Sequence, residues 1–408
     1  MGCSLFLAAL PRRLVLLRNE NVTSGVARDG DAAAKKNQKK TSPLLPLAAD
    51  AKFAFIGRHT RSTVDLLGNY HGVNLQVLNR SIVDVATQRG LRFFVADTAA
   101  DAADADVAVL FLGLTTVDEG EGHDRVALTL PTDQLELLAN VTAVQPRTVV
   151  VLVNGGALAI EALTTPGGAH QVAAIIEAFY PGQAGAEAVI AALLGETNSF
   201  GKLPYTMYPA GLVNRSAFDF DLQSDGGLTY QYYDNRYGSP VYDFGHGLAY
   251  TTFGFEWASG PAATVNVGDL AIPGHTGCYS CDSIQFSVKV SNTGYRAGDA
   301  VVLGFVSMSR QRADGSSSGG SGGGGGGMVK KRALFDFGRV TLAAGGSTTL
   351  TLKMDAGCKQ AVSMVDEGGV RWVEPGRFTV SVGDGIAPAT HSFLVTGTRA
   401  AISASCAA

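Results

Sequence analysis

Six ionisable residues lie within eight positions of one short segment, and carboxylates spaced in this way could perform general acid–base chemistry. The segment, residues 113–131, reads GLTTVDEGEGHDRVALTLP, and its ionisable residues are Asp118, Glu119, Glu121, His123, Asp124 and Arg125. Gly120 and Gly122 leave the backbone free to present the Glu121 carboxylate, and the pair Asp124 and Arg125 can anchor the far end. A solvated acidic loop is the alternative interpretation, and the residues alone leave both open.

Sites built around a metal ion or a dinucleotide fit the sequence less well. Two carboxylates and a histidine could bind calcium or zinc, but their spacing matches neither an EF-hand nor a zinc motif. Gly182 and Gly185 lack the remainder of a dinucleotide-binding G-x-G-x-x-G. We therefore predict neither a metal nor a cofactor for this protein.

The elements that must position the acidic segment follow an alternating pattern. Continuous apolar runs, typical of strands buried on both faces, occupy residues 53–56, 93–96, 107–112, 149–153 and 172–179. Stretches that favour helices lie at residues 62–67, 82–89, 99–105, 132–144, 158–163 and 185–194. This alternation predicts an α/β domain with a mostly parallel open sheet flanked by helices. Ligands bind beyond the carboxyl ends of such strands, which is where residues 113–131 begin.

The second half of the chain has a different character. Eleven aromatic residues fall between residues 218 and 255, and they could either pack two domains together or stack on sugar faces. Apolar and polar residues then alternate at 284–290, 350–354 and 378–382, which predicts an all-β sandwich. We divide the chain into a remnant linker with a flexible insert (1–50), an α/β sandwich domain (51–212), an aromatic-rich interdomain segment (213–255) and a β-sandwich (256–397).

Composition narrows the choice of partner and compartment. With 32 basic and 36 acidic residues the net charge is −4, which favours neither a nucleic-acid partner nor a membrane partner. No apolar run approaches the roughly 20 residues of a membrane span. Sequons at Asn21, Asn79, Asn140 and Asn214 indicate secretion, although the first residues make a poor signal peptide. Cys278 and Cys281 form one C-x-x-C, which predicts a local disulfide or two free thiols.

Several ordered motifs resemble one enzyme family. GEGHDR followed by LTLP and Gln134 resembles the acid/base loop of glycoside hydrolase family 3, the β-glucosidase and β-xylosidase family. FAFIGRHTRSTVDLLGNYHG, FYPGQAGAEAVIAALLGETNSFGKLPYTMYP and YQYYDNRYGSPVYDFGHGLAYTTFGF are similar to later segments of its second domain. VSNTGYRAGDAVV and VDEGGVRWVEPGRFTVSVG look like its fibronectin type III-like domain. The resemblance covers nearly the whole chain and is closest to the β-xylosidase branch.

The resemblance implies retaining, exo-acting hydrolysis of β-linked sugars, with β-D-xylosides of cell-wall xylan as the expected substrates. It assigns the acid/base role to Glu121, with Glu119 as the second choice, and the anchoring of the loop to Asp124 and Arg125. It places Asn69, Tyr70 and His71 on the substrate side.

The family's nucleophile is an Asp on an N-terminal (β/α)₈ barrel, and no such barrel precedes residue 14. We therefore expect this chain to be inactive alone, with a β-linked oligosaccharide or glycoside and a separately supplied barrel domain as its partners. The alternative is a non-catalytic module, derived from such an enzyme, that binds carbohydrate or a partner.

Overall fold

A computed structural model of the chain describes residues 10–23, 41–69, 80–260, 262–270, 284–309, 330–354, 361–366, 368–386 and 388–402. Tyr70, His71, Asn79, Cys278 and Cys281 therefore lie outside the described residues, as does the insert predicted to be flexible. The described chain forms an α/β domain followed by a β-sandwich, so the predicted fold class is confirmed.

The first domain is built on one central sheet. Its described strands are β1 (Val15–Asn19), β2 (Asn21–Thr23), β3 (Thr41–Pro43), β4 (Phe53–Ile56), β5 (Phe93–Val95), β6 (Val107–Gly113), β7 (Thr148–Val153) and β8 (Ala174–Glu177). Six of them form a sheet in the order β1-β8-β7-β6-β4-β5, while β2 and β3 pair separately. All neighbours in the six-stranded sheet are parallel except β1, which runs antiparallel to β8.

The central strands are apolar throughout because both of their faces are covered. Every residue of β6 and β7 is buried. Successive side chains of a strand point to opposite faces, so Phe111 belongs to one apolar core while Leu110 and Leu112 belong to the core on the other side. Burial on both sides is what places the carboxyl ends of β4, β6, β7 and β8 along one edge.

The start of the chain departs from the predicted division into domains. Residues 1–50 are expected to be a linker, yet β1 is a strand of the main sheet, and Leu14 and Leu16 are completely buried in its core. A five-residue strand that joins the edge antiparallel has no helix after it, so it lacks the alternation that marks the other strands.

The described helices are α1 (Ile82–Gln88), α2 (Thr132–Val144), α3 (Glu161–Thr164), α4 (Gly185–Leu193), α5 (Thr229–Tyr232) and α6 (Val267–Leu270). Ser81 caps α1, since its hydroxyl accepts the Asp84 N–H while the Asp84 carboxylate accepts the Ser81 N–H. The predicted helix at 62–67 is a series of turns, and the one at 99–105 is a 3₁₀ helix, Ala100–Asp104. Both segments are too short to form a stable α-helix without strong caps.

The second domain is a two-sheet sandwich. Its described strands are β9 (Phe253–Ser259), β10 (Thr264–Asn266), β11 (Ile284–Asn292), β12 (Gly298–Ser309), β13 (Ala333–Leu342), β14 (Ser347–Met354), β15 (Ser363–Val365), β16 (Arg371–Val373), β17 (Gly376–Gly383), β18 (Ala389–Thr396) and β19 (Ala400–Ile402). The larger sheet has the order β10-β18-β17-β12-β13, the facing sheet β14-β11-β9, and β15, β16 and β19 form a small third sheet. Phe286, whose ring lies 5.3 Å from that of Phe335, joins the two facing sheets. Because β9 starts at Phe253, the sandwich begins slightly before the predicted boundary at 256.

Hydrogen bonds and a buried charge join the two domains. The Tyr250 hydroxyl donates to the Ala192 carbonyl at 2.7 Å, and the Asn198 side chain donates to the Ala297 carbonyl at 3.0 Å. Arg339 donates to the buried Asp299 carboxylate at 3.0 Å and to the Phe200 carbonyl at 3.2 Å. The α/β domain therefore has a fixed contact with the sandwich through the segments on either side of the aromatic-rich region.

We expect Gly113→Ala to destabilise the α/β domain strongly. Gly113 has φ +135°, and a Cβ there would lie 2.0 Å from the Val153 carbonyl oxygen on β7. The free energy of unfolding should fall by at least about 3 kcal/mol, because backbone strain and a clash with rigid backbone combine. Urea-induced unfolding measures the effect. Gly90→Ala is the control, since Gly90 has φ +66° but open space around it, and its cost should stay near 1–2 kcal/mol. Equal losses for both variants would contradict the prediction.

Candidate active site

The candidate site lies where four parallel strands end. Residues 57–60 follow β4, the acidic segment 113–131 follows β6, residues 154–157 follow β7, and residues 178–182 follow β8. The side chain of Gln134, on α2, fixes the point where the acidic segment begins. Its amide accepts the Gly113 N–H and donates to the Gly113 carbonyl, both at 2.8 Å. The segment therefore leaves the sheet from an anchored residue.

Glu119 binds the acidic segment to its two neighbouring loops. Its Oε1 accepts the Gly155 N–H at 2.5 Å and the Tyr180 hydroxyl at 2.8 Å, and its Oε2 accepts the Gly156 N–H at 2.9 Å. The Arg125 Nε lies 3.8 Å from Oε2. Burial and the hydrogen bond to Glu119 raise the pKa of Tyr180 above its ordinary value, so Tyr180 remains a donor. The Glu119 carboxylate is thus occupied by protein groups.

The residues after β7 must be glycines for this contact to form. A Cβ on Gly156 would lie 2.5 Å from the Glu119 Oε2, and a Cβ on Gly155 would lie 2.5 Å from the Tyr180 ring. Two side chains would therefore separate the carboxylate from the N–H groups that bind it.

Asp118 fixes the same segment from the other side. Its Oδ2 accepts the Thr115 N–H at 2.8 Å, the Thr115 hydroxyl at 2.9 Å and the Arg58 Nη1 at 2.8 Å. Burial acts to raise the pKa of Asp118, but the hydrogen bonds from Thr115 and the Arg58 charge outweigh it and lower that pKa. Arg58 is a site residue that the sequence analysis does not identify. The Thr-x-x-Asp spacing was the available signal for the local turn.

Glu121 differs from Glu119 in every respect that matters for chemistry. It lies at the tip of a turn closed by the His123 N–H, which donates to the Gly120 carbonyl at 3.0 Å. Gly122 permits the turn with φ +78°. The Glu121 side chain is exposed, and it has no hydrogen bond or ion pair with another residue of the described ranges. Of the two predicted acid/base candidates, Glu121 has the free carboxylate.

The other predicted site residues divide into three groups. Arg125 donates to the Ala157 carbonyl at 2.8 Å, so it connects the segment to the loop after β7. Asp124 is exposed and makes no hydrogen bond or ion pair with a described residue. The Asn69 amide donates to the Glu119 carbonyl at 3.1 Å, which brings it to the acidic segment. Tyr70 and His71 lie outside the described residues.

A second ionisable pair stands next to the site. His59 is completely buried, and its Nδ1 lies 3.2 Å from the Asp65 Oδ2. Burial lowers the pKa of His59 to about 4, against the opposing effect of Asp65. His59 is therefore neutral near pH 7 and has no proton of a charged imidazolium to give.

The aromatic-rich region surrounds a cavity of about 570 Å³. Its lining includes Tyr230, Tyr242, His246 and Arg332. Tyr230 stacks on Phe244 with ring centres 4.3 Å apart, and Tyr242 stacks on His246 at the same distance. These rings use a face against the protein itself, as in the domain-packing interpretation, while their remaining edges line the cavity.

Two further properties bear on the type of site. In the part of the chain that the structure describes, no three His, Cys, Asp or Glu side chains are grouped so as to hold a metal ion. Among the same residues, no helix has both the length and the apolar composition needed to cross a membrane.

Comparison with known proteins gives consistent matches. The sequence model of the glycosyl hydrolase family 3 C-terminal domain matches residues 14–250, and that of the fibronectin type III-like domain matches residues 325–385. Beta-D-xylosidase 1 of Arabidopsis thaliana is 32% identical over 383 residues, which are 86% of this chain and 46% of that protein. A probable exo-1,4-beta-xylosidase of Aspergillus terreus is 30% identical over 89% of this chain and 46% of its own length.

Solved structures agree with these matches. A GH3 exo-beta-xylosidase in complex with a xylobiose aziridine activity-based probe superimposes with a TM-score of 0.78 at 26% identity, covering 98% of this chain and 49% of that one. A GH3 beta-glucosidase of Bifidobacterium adolescentis shares the fold, with a TM-score of 0.69 at 24% identity over 96% of this chain and 53% of that one. The chain thus spans about half the length of the relatives it matches.

We predict that Glu119→Gln and Glu121→Gln have opposite effects on stability. Gln at position 119 would turn an N–H group towards the amides of Gly155 or Gly156, so the free energy of unfolding should fall by about 2–3 kcal/mol. Gln at the exposed position 121 should change it by less than about 0.5 kcal/mol. Urea-induced unfolding of both variants checks this. A loss at position 121 as large as that at position 119 would contradict the assignment of the free carboxylate.

Proposed function

Because the chain belongs to glycoside hydrolase family 3, we propose that it supplies the acid/base part of a retaining, exo-acting hydrolysis of β-linked sugars. The observation that carries this proposal is the difference between two carboxylates two residues apart. Glu119 is occupied by amide and phenol donors, whereas Glu121 is free at the carboxyl edge of the sheet. The substrates are proposed to be β-D-xylosides, because the curated relatives cited above are named as xylosidases.

In this proposal Glu121 acts twice on the same bond. It first gives its proton to the glycosidic oxygen, so that the leaving sugar departs as an alcohol while a nucleophilic carboxylate bonds to the anomeric carbon. It then takes a proton from the water molecule that breaks this glycosyl ester, which restores both carboxyl groups. Retention requires the two carboxyl groups to lie about 5–5.5 Å apart.

The nucleophile is proposed to come from a barrel domain outside the 408 residues. None of the Asp residues in this sequence stands in the family's nucleophile motif. Asn69, Tyr70 and His71 are proposed to contact the sugar. Asn69 would also hold the acidic segment through its bond to Glu119.

Secretion is proposed from the sequons. Asn21, Asn140 and Asn214 are all exposed, so each could carry a glycan without disturbing a core.

Enzyme assays test the catalytic proposal. The purified 408-residue chain should not hydrolyse a nitrophenyl β-D-xyloside, because an acid without a nucleophile cannot form the glycosyl-enzyme. Mixing it with a separately produced barrel domain from a xylosidase relative should generate activity. Glu121→Gln should then reduce turnover by at least about 100-fold, while the control Glu136→Gln, on the exposed side of α2, should leave it unchanged. Turnover by the chain alone, or an active Glu121→Gln complex, would contradict the proposal.

The cavity beside the aromatic-rich region favours a second candidate, a non-catalytic carbohydrate-binding module. Its volume of about 570 Å³ lies in the range of small-molecule sites, and tyrosine and charged side chains line it. Calorimetric titration with xylose and glucose distinguishes the two proposals. Binding heat without turnover, lost in Tyr230→Ala, would support the binding module, and the absence of heat with both sugars would remove it.

A further inference from the structure

A carboxyl group that the catalytic proposal does not use lies beneath the candidate site. Glu177 is the last residue of β8, and its side chain is completely buried. It pairs in register with Leu152 of β7, so it points to the same face as Leu152 and as Asn154, two residues further along. Asn154 opens the turn whose glycines bind Glu119. Glu177 is thus placed directly under that turn.

The hydrogen bonds around Glu177 leave two oxygens without a donor. Its Oε1 accepts the Phe179 N–H at 3.0 Å. Its Oε2 is buried and has no partner among the described residues, and the same is true of the Asn154 Oδ1. The Asn154 Nδ2 donates to the Gly156 carbonyl at 3.0 Å, so the orientation of this amide is set and Oδ1 remains an acceptor.

Two facing acceptors are compatible only if one of them carries a proton. The Asn154 side chain lies within hydrogen-bonding reach of the Glu177 carboxyl. A buried acceptor without a donor loses its hydration and gains nothing in return. Protonation of Glu177 would supply the missing donor for both oxygens at once.

The charges around Glu177 favour the same state. From the acidic segment it faces the Glu119 carboxylate, which repels a second negative charge. Arg125, on the same segment, is already bonded to the Ala157 carbonyl and lies beside Glu119. On the remaining sides stand Tyr205, a neutral phenol, and Val15 of β1. Burial, before all other causes, raises the pKa of Glu177 to about 8.

We propose that Glu177 is a neutral carboxylic acid that donates its Oε2 proton to the Asn154 Oδ1, and that this bond holds the turn of residues 154–156 in the form that binds Glu119. Glu177 is then a positioning residue for the acidic segment, acting through Asn154 and two glycine amides. The inference concerns the folded chain itself and stands whether or not the chain is a glycosidase.

The proposal fixes the sign of a pH dependence. The folded protein keeps a proton on Glu177 that the unfolded chain releases above pH 4.5. This contribution to stability is complete below pH 4.5 and declines as the pH rises towards 8. Relative to a variant that cannot ionise at this position, the unfolding constant of the wild type should rise about tenfold per pH unit across this interval.

Three proteins test this by urea-induced unfolding between pH 5 and pH 8. Glu177→Gln keeps a donor for Asn154 and an acceptor for Phe179, so it should fold. The ratio of the wild-type unfolding constant to that of Glu177→Gln should rise steeply with pH. The same ratio for the control Glu136→Gln, at an exposed position, should stay constant. A pH-independent ratio for Glu177→Gln would overturn the proposal.

Hydrogen exchange and carbon-13 NMR test the structural part. The Gly155 and Gly156 amides should stay protected at pH 6 in the wild type and in Glu177→Gln, and should exchange at least about tenfold faster in Glu177→Leu, which provides no donor. Equal protection in Glu177→Leu would overturn the link to the turn. In wild-type protein labelled at its glutamate carboxyl carbons, one carboxyl should titrate near pH 8. The absence of any glutamate titrating above pH 6 would overturn the neutral acid even if no variant folds.

Discussion

The contact between the Glu119 carboxylate and the amides of Gly155 and Gly156 is the interaction on which the candidate site depends. It joins loops that follow three different strands, since Tyr180, after β8, donates to the same carboxylate. Hydrogen bonds to an ionised acceptor are stronger than those between neutral groups, and side chains shield this one from water. A loop of nineteen residues, 113–131, thereby becomes a fixed part of the sheet edge.

Two carboxylates of one segment serve different ends because their surroundings differ. Glu119 is consumed in binding, and this frees its neighbour from any structural duty. Glu121 stands on a turn held at Gly120 and His123, so its backbone is placed while its side chain stays free. The buried Glu177 extends the same logic one layer deeper, because it stabilises the turn that stabilises Glu119. Each layer of the site is an acid whose protonation or pairing is set by its burial.

The sequence predicted the parts of this arrangement that depend on local pattern. Apolar runs located the parallel strands, period-two alternation located the sandwich, and Pro131 with Thr132 marked the start of α2. What it could not give are partners distant along the chain. Glu119 meets its donors 36, 37 and 61 residues away, so no local spacing separates its role from that of Glu121. Likewise β1 is recognisable as a strand of the sheet only through its pairing with β8.

The exposure of Glu121 has a physical meaning when its neighbours are considered. Val117 is 80% exposed and Val126 is 92% exposed, one on each side of Glu121 in the segment. Apolar side chains at such positions gain free energy when another surface covers them. Under the proposed function, a barrel domain and a bound sugar would supply that surface. The same covering would remove water from Glu121, and a general acid in a water-poor setting holds its proton more firmly until the substrate receives it. Docking and chemistry would therefore draw on one and the same burial.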